Sequence, residues 1–332
     1  MIESIEFKNF KALRDAKLPL SQFTLIVGPN GSGKSTALSG VMALGHPDNY
    51  NFGQLRTLGT QNSPVQVTAT WSESGFGYRI ETWWSRITYS GPTFTPLSGS
   101  QSTDAAKAAI ALNRVRFYSL DANAISQSMQ LQPQMEMAPN GGGLAVVLDR
   151  LRDQHPERFE ALNNQLGQWI PEFNRILFDT AHGGHRSISL RTREGGHSIR
   201  ASDLSQGTLV ALALLTIAYL PDPPAIVCLE EPDHGLHPRL LRDVRDALYR
   251  LAYPEGAHEK REPVQVIATT HNPYFLDLFR EHPEEIVIAE KVGLEAKFSR
   301  LSDRQDLDEI LGDAPLSEVW YSGVLGGVPA GT

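Results

Sequence analysis

The sequence predicts an α/β fold in which a parallel sheet carries a glycine-rich phosphate-binding loop. An apolar run at Phe23–Val27 predicts a buried strand, and the chain then turns at Gly28 into a helix that begins at Gly33 or Lys34. Beyond Ser202, apolar strands alternate with helical segments, which is typical of parallel strands joined by crossover helices. The sheet is therefore expected to be assembled from two separate parts of the chain.

The loop between the first buried strand and its helix has the composition of a phosphate cradle. Gly28, Gly33, Lys34 and Ser35 fit the pattern G-x-x-x-x-G-K-[ST]. In such a loop, backbone N–H groups surround the β- and γ-phosphates, the lysine adds a positive charge, and the hydroxyl can ligate Mg²⁺. The N-terminus of the following helix faces the same phosphates. The predicted nucleotide-binding residues of this loop are Asn30, Gly31, Ser32, Gly33, Lys34, Ser35 and Thr36.

Two later apolar strands end in polar side chains. One strand ends at Glu230 and Glu231, and the next ends at His271. Ligands of open α/β sheets bind at the carboxyl ends of strands, so these side chains are expected beside the loop. We predict that Glu230 holds Mg²⁺ directly or through water, and that Glu231 polarises the attacking water. His271 is predicted to donate to the γ-phosphate or to that water.

A short motif at Ser202–Thr208 precedes a strongly apolar helix. Ser205 has two interpretations. It can simply cap the helix, or its hydroxyl and the free N–H groups of the helix start can form an anion site, with Gly207 allowing a phosphate to approach the backbone.

The predicted nucleotide-binding core comprises residues 1–48 and 202–290, and residues 49–201 are predicted to form an inserted lobe. Alternating patterns at residues 65–71 and 77–89 predict a β-hairpin in that lobe, which also carries a helical segment. Residues crowded with serine, threonine and glycine, 90–103, predict an exposed loop. Residues 291–332 are assigned to a C-terminal extension.

Composition indicates a globular cytoplasmic protein. A net charge of −8 does not mark a nucleic-acid binder, although a local basic patch stays possible on such a chain. No apolar run reaches the length of a membrane span, and the strand-like start has no signal-peptide pattern. The single cysteine, Cys228, lies in an apolar run and fits a reducing compartment. We therefore expect no membrane partner.

Together these motifs resemble the ABC-type ATPases of the RecF and SMC kind. The opening 36 residues resemble their N-terminal lobe, LSQG at 204–207 their signature motif, CLEEPDHGLHP at 228–238 their Walker B motif with D-loop, and ATTHNPYFLDLF at 268–279 their switch-histidine segment. Stretches at 116–125 and 141–159 also resemble small stand-alone prokaryotic AAA-family ATPases related to OLD-family ATPase domains. No OLD-type nuclease domain is expected after the switch histidine.

The resemblance implies a P-loop NTPase fold with an ABC-type two-lobed head and an inserted α/β lobe. It further implies a head-to-tail homodimer that sandwiches two ATP molecules. Residues of the loop, both glutamates and the histidine would act in cis, whereas Ser205 and Gly207 would reach the γ-phosphate in trans, with Asp233 at the dimer seam. Two residues depart from the family pattern: Glu230 replaces the more usual aspartate, and Gln206 replaces a signature glycine.

Two further features of the family have candidate residues in this sequence. A glutamine loop is expected after the first helix, and Gln54 and Gln61 compete for that place. The resemblance also implies that Lys11 approaches the nucleotide.

The leading functional hypothesis is a Mg²⁺-dependent ATPase whose dimer closes on ATP and opens after hydrolysis. The cycle would act on DNA or on a partner effector such as a nuclease, in DNA repair or phage defence; this last step rests on analogy. Two alternatives remain from the sequence: the nucleotide-binding subunit of a transporter, and an ATP-sensing scaffold with little turnover, which the substitution at Glu230 keeps open.

Overall fold

A computed structural model of the chain describes residues 1–60, 63–73, 76–97, 102–132, 136–181, 183–312 and 314–328. Its strands are β1 (Ile2–Phe10), β2 (Leu13–Pro19), β3 (Phe23–Val27), β4 (Val65–Glu73), β5 (Phe76–Trp84), β6 (Tyr89–Pro96), β7 (Val115–Tyr118), β8 (Met129–Gln130), β9 (Phe173–Ala181), β10 (His185–Thr192), β11 (Ser198–Arg200), β12 (Ile226–Glu230), β13 (Gln265–Thr270), β14 (Ile286–Val292) and β15 (Glu295–Arg300). Its α-helices are α1 (Lys34–Gly45), α2 (Phe52–Leu55), α3 (Ser102–Asn113), α4 (Ala122–Ser126), α5 (Leu144–Gln154), α6 (Pro156–Trp169), α7 (Gln206–Tyr219), α8 (Leu241–Ala252), α9 (Pro273–Asp277), α10 (Leu307–Leu311) and α11 (Leu316–Tyr321).

The chain folds into two units, each made of separate segments. The first unit comprises Met1–Phe117, Pro224–Glu230 and Glu262–Thr332, and the second comprises Tyr118–Pro223 and Glu231–Arg261. The sequence-based division into core, inserted lobe and extension stays a prediction.

A six-stranded sheet forms the centre of the first unit, in the order β15-β14-β3-β13-β12-β7. Strand β3 runs parallel to both of its neighbours, β14 and β13, and β12 runs parallel to β13. Every residue of β3 and β13 is buried. Continuous apolar strands of this kind suit a parallel sheet that is covered on both faces, so the predicted parallel sheet is confirmed.

An antiparallel sheet in the order β2-β1-β4-β5-β6 completes the first unit. The predicted hairpin is present as β4 and β5, paired from Val65 opposite Trp84 to Glu73 opposite Phe76. Residues 74 and 75 of its turn lie outside the described residues. Strand β4 also pairs with β1, so the hairpin belongs to the same sheet as the first strand of the chain.

Gln265 links the starts of the two sheets in the first unit. Its buried side chain accepts a hydrogen bond from Ile2 N at 2.9 Å and donates to Ile2 O at 2.7 Å and to Ser21 O at 3.0 Å. Because the amide is bonded at both of its polar atoms, it carries no unsatisfied group into the interior. It holds the start of β1 against the start of β13, the strand that leads to His271.

The second unit is built around α7, which is buried at every position from Thr208 to Tyr219. Helix α6 packs on α7 and on β9, and β9 pairs with β10. Near the end of this unit, Glu259 lies among three arginines, Arg158, Arg250 and Arg261. Burial acts to raise the pKa of Glu259, but the hydrogen bond from Arg261 and the nearby positive charges outweigh burial, and the pKa lies below its ordinary value.

One stretch differs from the sequence-based prediction, and two others contain elements that the sequence analysis did not define. The predicted loop at 90–103 is wrong in part because β6 occupies Tyr89–Pro96 and pairs with β5. The polar stretch after α1 contains α2, which begins with a capping box between Asn51 and Gln54. The C-terminal extension contains β15, α10 and α11. Pairing with β5 orders β6, and a local cap orders α2, although the residues of both have a weak intrinsic preference.

Candidate nucleotide-binding site

The register of the parallel sheet aligns three predicted functional segments. Val27 lies opposite Thr270, and Thr269 lies opposite Glu230. Because β3, β13 and β12 are parallel neighbours, the loop that starts at Gly28, the carboxylate of Glu230 and the turn at His271 leave the sheet at one edge. The structure thus brings these three predicted segments together within the first unit.

Two glycines of the loop are required by close neighbours. A methyl group on Gly28 would lie 2.1 Å from the carbonyl oxygen of Ala289 in β14, so no larger residue fits there. Gly33 has a φ of 101°, in the left-handed region, and a methyl group on it would lie 3.0 Å from Leu13 and 3.1 Å from Ala296. Sequence reasoning missed Ala289, because its contribution is a backbone atom that no side-chain pattern marks.

Lys34 and Ser32 point polar atoms into the loop itself. The Lys34 side chain is buried, and its Nζ donates to the carbonyl oxygens of Gly28 at 2.6 Å and Pro29 at 3.0 Å. The hydroxyl oxygen of Ser32 is buried and has no hydrogen-bond partner among the described residues. A buried hydroxyl without a partner is costly, and a phosphate oxygen would supply the missing bond.

Helix α1 begins at Lys34 with Gly33 as its N-cap, and no side chain caps it. The amide groups of its first turn therefore have no intrahelical acceptor, which suits an anion. Ser35 and Thr36 lie in that turn, and the Ser35 side chain is exposed. Gly31, with a φ of 80°, and Asn30 are exposed at the tip of the loop.

The two predicted carboxylates fall on either side of a unit boundary. Glu230 is the last residue of β12 and belongs to the first unit, whereas Glu231 begins a segment of the second unit. Glu231 has a φ of 44°, a left-handed conformation that costs a residue other than glycine about 1–3 kcal/mol. His234 N donates to Glu231 O at 2.9 Å, which holds this turn. Such strain is often found at functional sites.

Polar groups around His271 hold the turn that follows β13. The imidazole is exposed. On the preceding residue, Thr270 Oγ1 accepts from Asn272 N at 3.0 Å, and Asn272 Oδ1 in turn accepts from Tyr274 N at 3.0 Å. These two bonds fix the backbone on both sides of the histidine, so its side chain is presented from an ordered turn.

Within the second unit, Ser205 caps α7. Its Oγ accepts a hydrogen bond from Thr208 N at 3.1 Å, which confirms the capping interpretation and leaves the anion-site interpretation as a prediction. A methyl group on Gly207 would lie 2.9 Å from Gly235 O, so the turn at the start of α7 lies against the backbone of the turn at Gly235. A cavity of about 570 Å³ lies beside these residues and is also lined by Trp169, His237 and Arg239.

The remaining family features are placed as follows. Gln54 accepts from Asn51 N at 3.2 Å and so serves as a capping residue, while Gln61 lies outside the described residues. Lys11 sits in the turn between β1 and β2 with a φ of 48°, and burial lowers the pKa of its ammonium group. The predicted approach of Lys11 to a nucleotide stays a prediction.

Comparison with known families identifies the chain. A family model described as "AAA domain, putative AbiEii toxin, Type IV TA system" matches residues 111–277, half of the 332-residue chain. The chain belongs to this AAA-domain family. A second model, described as an AAA ATPase domain, matches residues 1–55, which hold β1 to β3, the phosphate loop and α1. The chain is an ATP-binding, ATP-hydrolysing enzyme.

Two solved structures resemble this chain. The SMC head domain from Thermotoga maritima superposes with a TM-score of 0.52 at 18% identity, covering 90% of this chain and 98% of that one. The recombination mediator protein RecF with ATPrS gives a TM-score of 0.46 at 10% identity, with coverage of 90% and 98%. The likeness to the SMC head domain shows the fold, and it agrees with the α/β fold that the sequence predicted.

One curated relative matches over a short segment. An OLD nuclease from Thermus scotoductus is 49% identical over 41 residues, which are 12% of this chain and 8% of that nuclease. The chain therefore spans only a small part of this relative. None of the helices in the described part of the chain combines the length and the apolar character needed to cross a bilayer.

Proposed function

We propose that the chain binds Mg²⁺-ATP at the carboxyl edge of the six-stranded sheet and hydrolyses it in a head-to-tail homodimer. The observation that carries this proposal is the strand register, which aligns Val27 with Thr270 and Thr269 with Glu230. A phosphate cradle, a carboxylate and a histidine at one sheet edge are the parts that phosphoryl transfer to water requires.

The loop residues bind and orient the triphosphate. The buried Lys34 Nζ, now bonded to two loop carbonyls, supplies a positive charge inside the cradle, and the buried Ser32 hydroxyl supplies a hydrogen bond. The Ser35 hydroxyl and the Glu230 carboxylate are oxygen ligands of the type that Mg²⁺ prefers, Glu230 directly or through water. When bound, Mg²⁺ neutralises charge on the β- and γ-phosphates.

We assign the proton transfer to Glu231. Its carboxylate takes a proton from the attacking water as the water oxygen bonds to the γ-phosphorus, and the bond from that phosphorus to the β–γ bridging oxygen breaks to give ADP and phosphate. His271 donates a hydrogen bond to a γ-phosphate oxygen or to the water. The ordered turn that Thr270 and Asn272 build around the histidine supports this assignment.

The partner protomer supplies the signature motif in this proposal. Ser205 and Gly207 lie at the start of α7, where amide groups without intrahelical acceptors favour an anion. Ser205 is an exposed residue although its hydroxyl caps the helix. Asp233, which is buried, would lie near the seam of the dimer.

A charge change at the signature serine tests the trans contact. Ser205→Asp keeps a strong helix cap but places a negative charge beside the partner's γ-phosphate, so we expect unchanged thermal stability and ATP binding but at least about a 100-fold loss of hydrolysis. Ser205→Asn, a neutral cap, is the matched control and should lose less activity. Measurements are ATP turnover, nucleotide affinity and melting temperature. Normal ATP turnover by Ser205→Asp would show that the signature motif does not contribute to the ATPase site.

We further propose that the cycle is coupled to a partner effector protein or to DNA, in phage defence or DNA repair. The family description, which names a putative toxin, and the partial likeness to an OLD nuclease support an effector or a nuclease as the partner. The net charge of −8 gives no general attraction for DNA. Recovery of a defined partner with the ATP-bound protein, and its loss with ADP, would support this coupling.

A further inference from the structure

The C-terminal end of the first unit forms a clamp across the elements that carry the nucleotide site. This C-terminal clamp comprises residues 316–328, which are α11 and the glycine-rich turn after it. Ser317 binds the carboxylate of Asp277 twice: its N–H donates to Oδ1 at 2.7 Å and its hydroxyl donates to Oδ2 at 2.6 Å. Asp277 ends α9, the short helix that starts two residues after His271. One end of the clamp is therefore tied to the histidine segment.

The other end of the clamp packs on the carboxyl end of β14. A methyl group on Gly327 would lie 2.8 Å from Ile288 Cγ2 and 3.3 Å from Ala289 O, and one on Gly326 would lie 2.8 Å from Glu290 Oε2. A side chain at Gly327 would require Ile288 to shift, whereas the flexible end of Glu290 could move away from one at Gly326, so Gly327 makes the tighter contact with the strand. Ile288 is the β14 residue opposite Val27, the last residue before the phosphate loop.

The Ala289 carbonyl oxygen is the point where the clamp and the loop meet. A methyl group on Gly28 would lie 2.1 Å from this oxygen, and one on Gly327 would lie 3.3 Å from it. The first glycine of the loop and the clamp thus share one backbone neighbour. Packed interiors have little free volume, so a displacement of Ala289 is transmitted to both.

Packing and one polar contact hold this end of the clamp: Arg304 Nη1 donates to Val324 O at 2.8 Å. Trp320 is buried, and its Nε1 has no hydrogen-bond partner within the part of the chain that the structure describes. The same nitrogen would lie 3.3 Å from a methyl group on Gly327. The contact between clamp and strand is therefore sensitive to the addition of a single carbon atom.

We propose that the C-terminal clamp is a positioning element for the nucleotide site, holding β14 against Gly28 at one end and the helix after His271 at the other. The inference rests on the proposed nucleotide site. The proposal does not require the clamp to touch the nucleotide, because the clamp acts through Ala289 and Asp277. Because coupling between two sites is reciprocal, nucleotide binding must also stabilise the clamp.

Two glycine variants separate this role from backbone strain. Gly327→Ala adds a methyl group against β14 at a φ of 68°, whereas Gly293→Ala adds one at a φ of 65° where no atom lies within 4 Å. The backbone φ is nearly the same at the two positions, so the variants differ mainly in the contacts of the added methyl group with β14 and with Trp320. We expect Gly327→Ala to weaken binding of a nonhydrolysable ATP analogue about five- to tenfold, with turnover at saturating ATP changed less, and Gly293→Ala to bind as the wild type does. Equal affinities in the two variants would overturn the proposal.

A measurement on the wild-type protein covers the case in which Gly327→Ala fails to fold. The ATP analogue is expected to slow amide hydrogen exchange in residues 320–326 of the wild type but not of Lys34→Ala, in which the proposed site is disabled. If the nucleotide binds the wild type but does not change its amide hydrogen exchange in these residues, the proposed role of the clamp would be overturned and the proposed site would stand. Absence of nucleotide binding by the wild type would overturn the proposed site and the clamp together.

Discussion

Glu231→Gln is expected to lower ATP turnover by about 100- to 10,000-fold while ATP affinity stays within a few-fold of the wild type. Glutamine has nearly the shape of glutamate but cannot accept the proton of the attacking water. The substitution also leaves the backbone of this residue, which adopts a φ of 44°, free to keep its conformation. ATP should therefore bind normally and remain uncleaved.

The same variant is expected to accumulate as a dimer in the presence of Mg²⁺-ATP. In the proposed cycle, hydrolysis opens the dimer, so blocking hydrolysis holds it closed. Turnover by phosphate release and mass by light scattering, each with and without ATP, measure both effects. Glu255→Gln, at an exposed glutamate of the same unit, is the matched control. A Glu231→Gln protein that hydrolyses ATP normally, or stays monomeric with ATP, would contradict the assignment.

Lys34→Ala is expected to weaken ATP binding by at least about 10- to 100-fold and to abolish measurable hydrolysis. The lysine charge lies inside the loop, where it is buried and bonded to the carbonyl oxygens of Gly28 and Pro29. Removing it takes away the charge that faces the phosphates and leaves two loop carbonyls without their donor. Both losses act against a bound triphosphate.

Thermal stability in the presence of ATP measures the loss. A ligand that binds only the folded protein raises the melting temperature, so ATP should stabilise the wild type and leave Lys34→Ala unchanged. Lys107→Ala, at an exposed lysine of α3, is the control and should respond as the wild type does. Equal stabilisation of Lys34→Ala by ATP would place the nucleotide elsewhere.

The parts of the site that carry side-chain patterns could be predicted from the sequence. The apolar run of β3 is interrupted by Gly28 and followed by Lys34, and this local order fixes both the strand and the loop. The parallel sheet follows from the alternation of apolar strands and helices after Ser202. Local pattern was sufficient because the strands of this sheet are buried on both faces and carry an unbroken apolar signal.

Contacts made by backbone atoms could not be predicted in the same way. Ala289 supports the loop through its carbonyl oxygen, and any residue would offer the same atom. Strand β6 carries Pro92 and Gly91, which locally oppose a strand, and it is ordered by pairing with β5. The clamp depends on Gly327 meeting a strand nearly forty positions earlier, a tertiary contact that sequence spacing does not encode.

The central claim is that the loop of one protomer and the signature serine of its partner complete one ATPase site. Lys34→Ala and Ser205→Asp, each inactive alone, test it when mixed in equal amounts. About half of the dimers are then mixed, and each of these holds one intact loop facing one intact signature motif, so we predict recovery of about a quarter of wild-type turnover if the sites act independently. Recovery should require the proteins to be mixed before ATP is added. A mixture that is no more active than its two components would contradict the account.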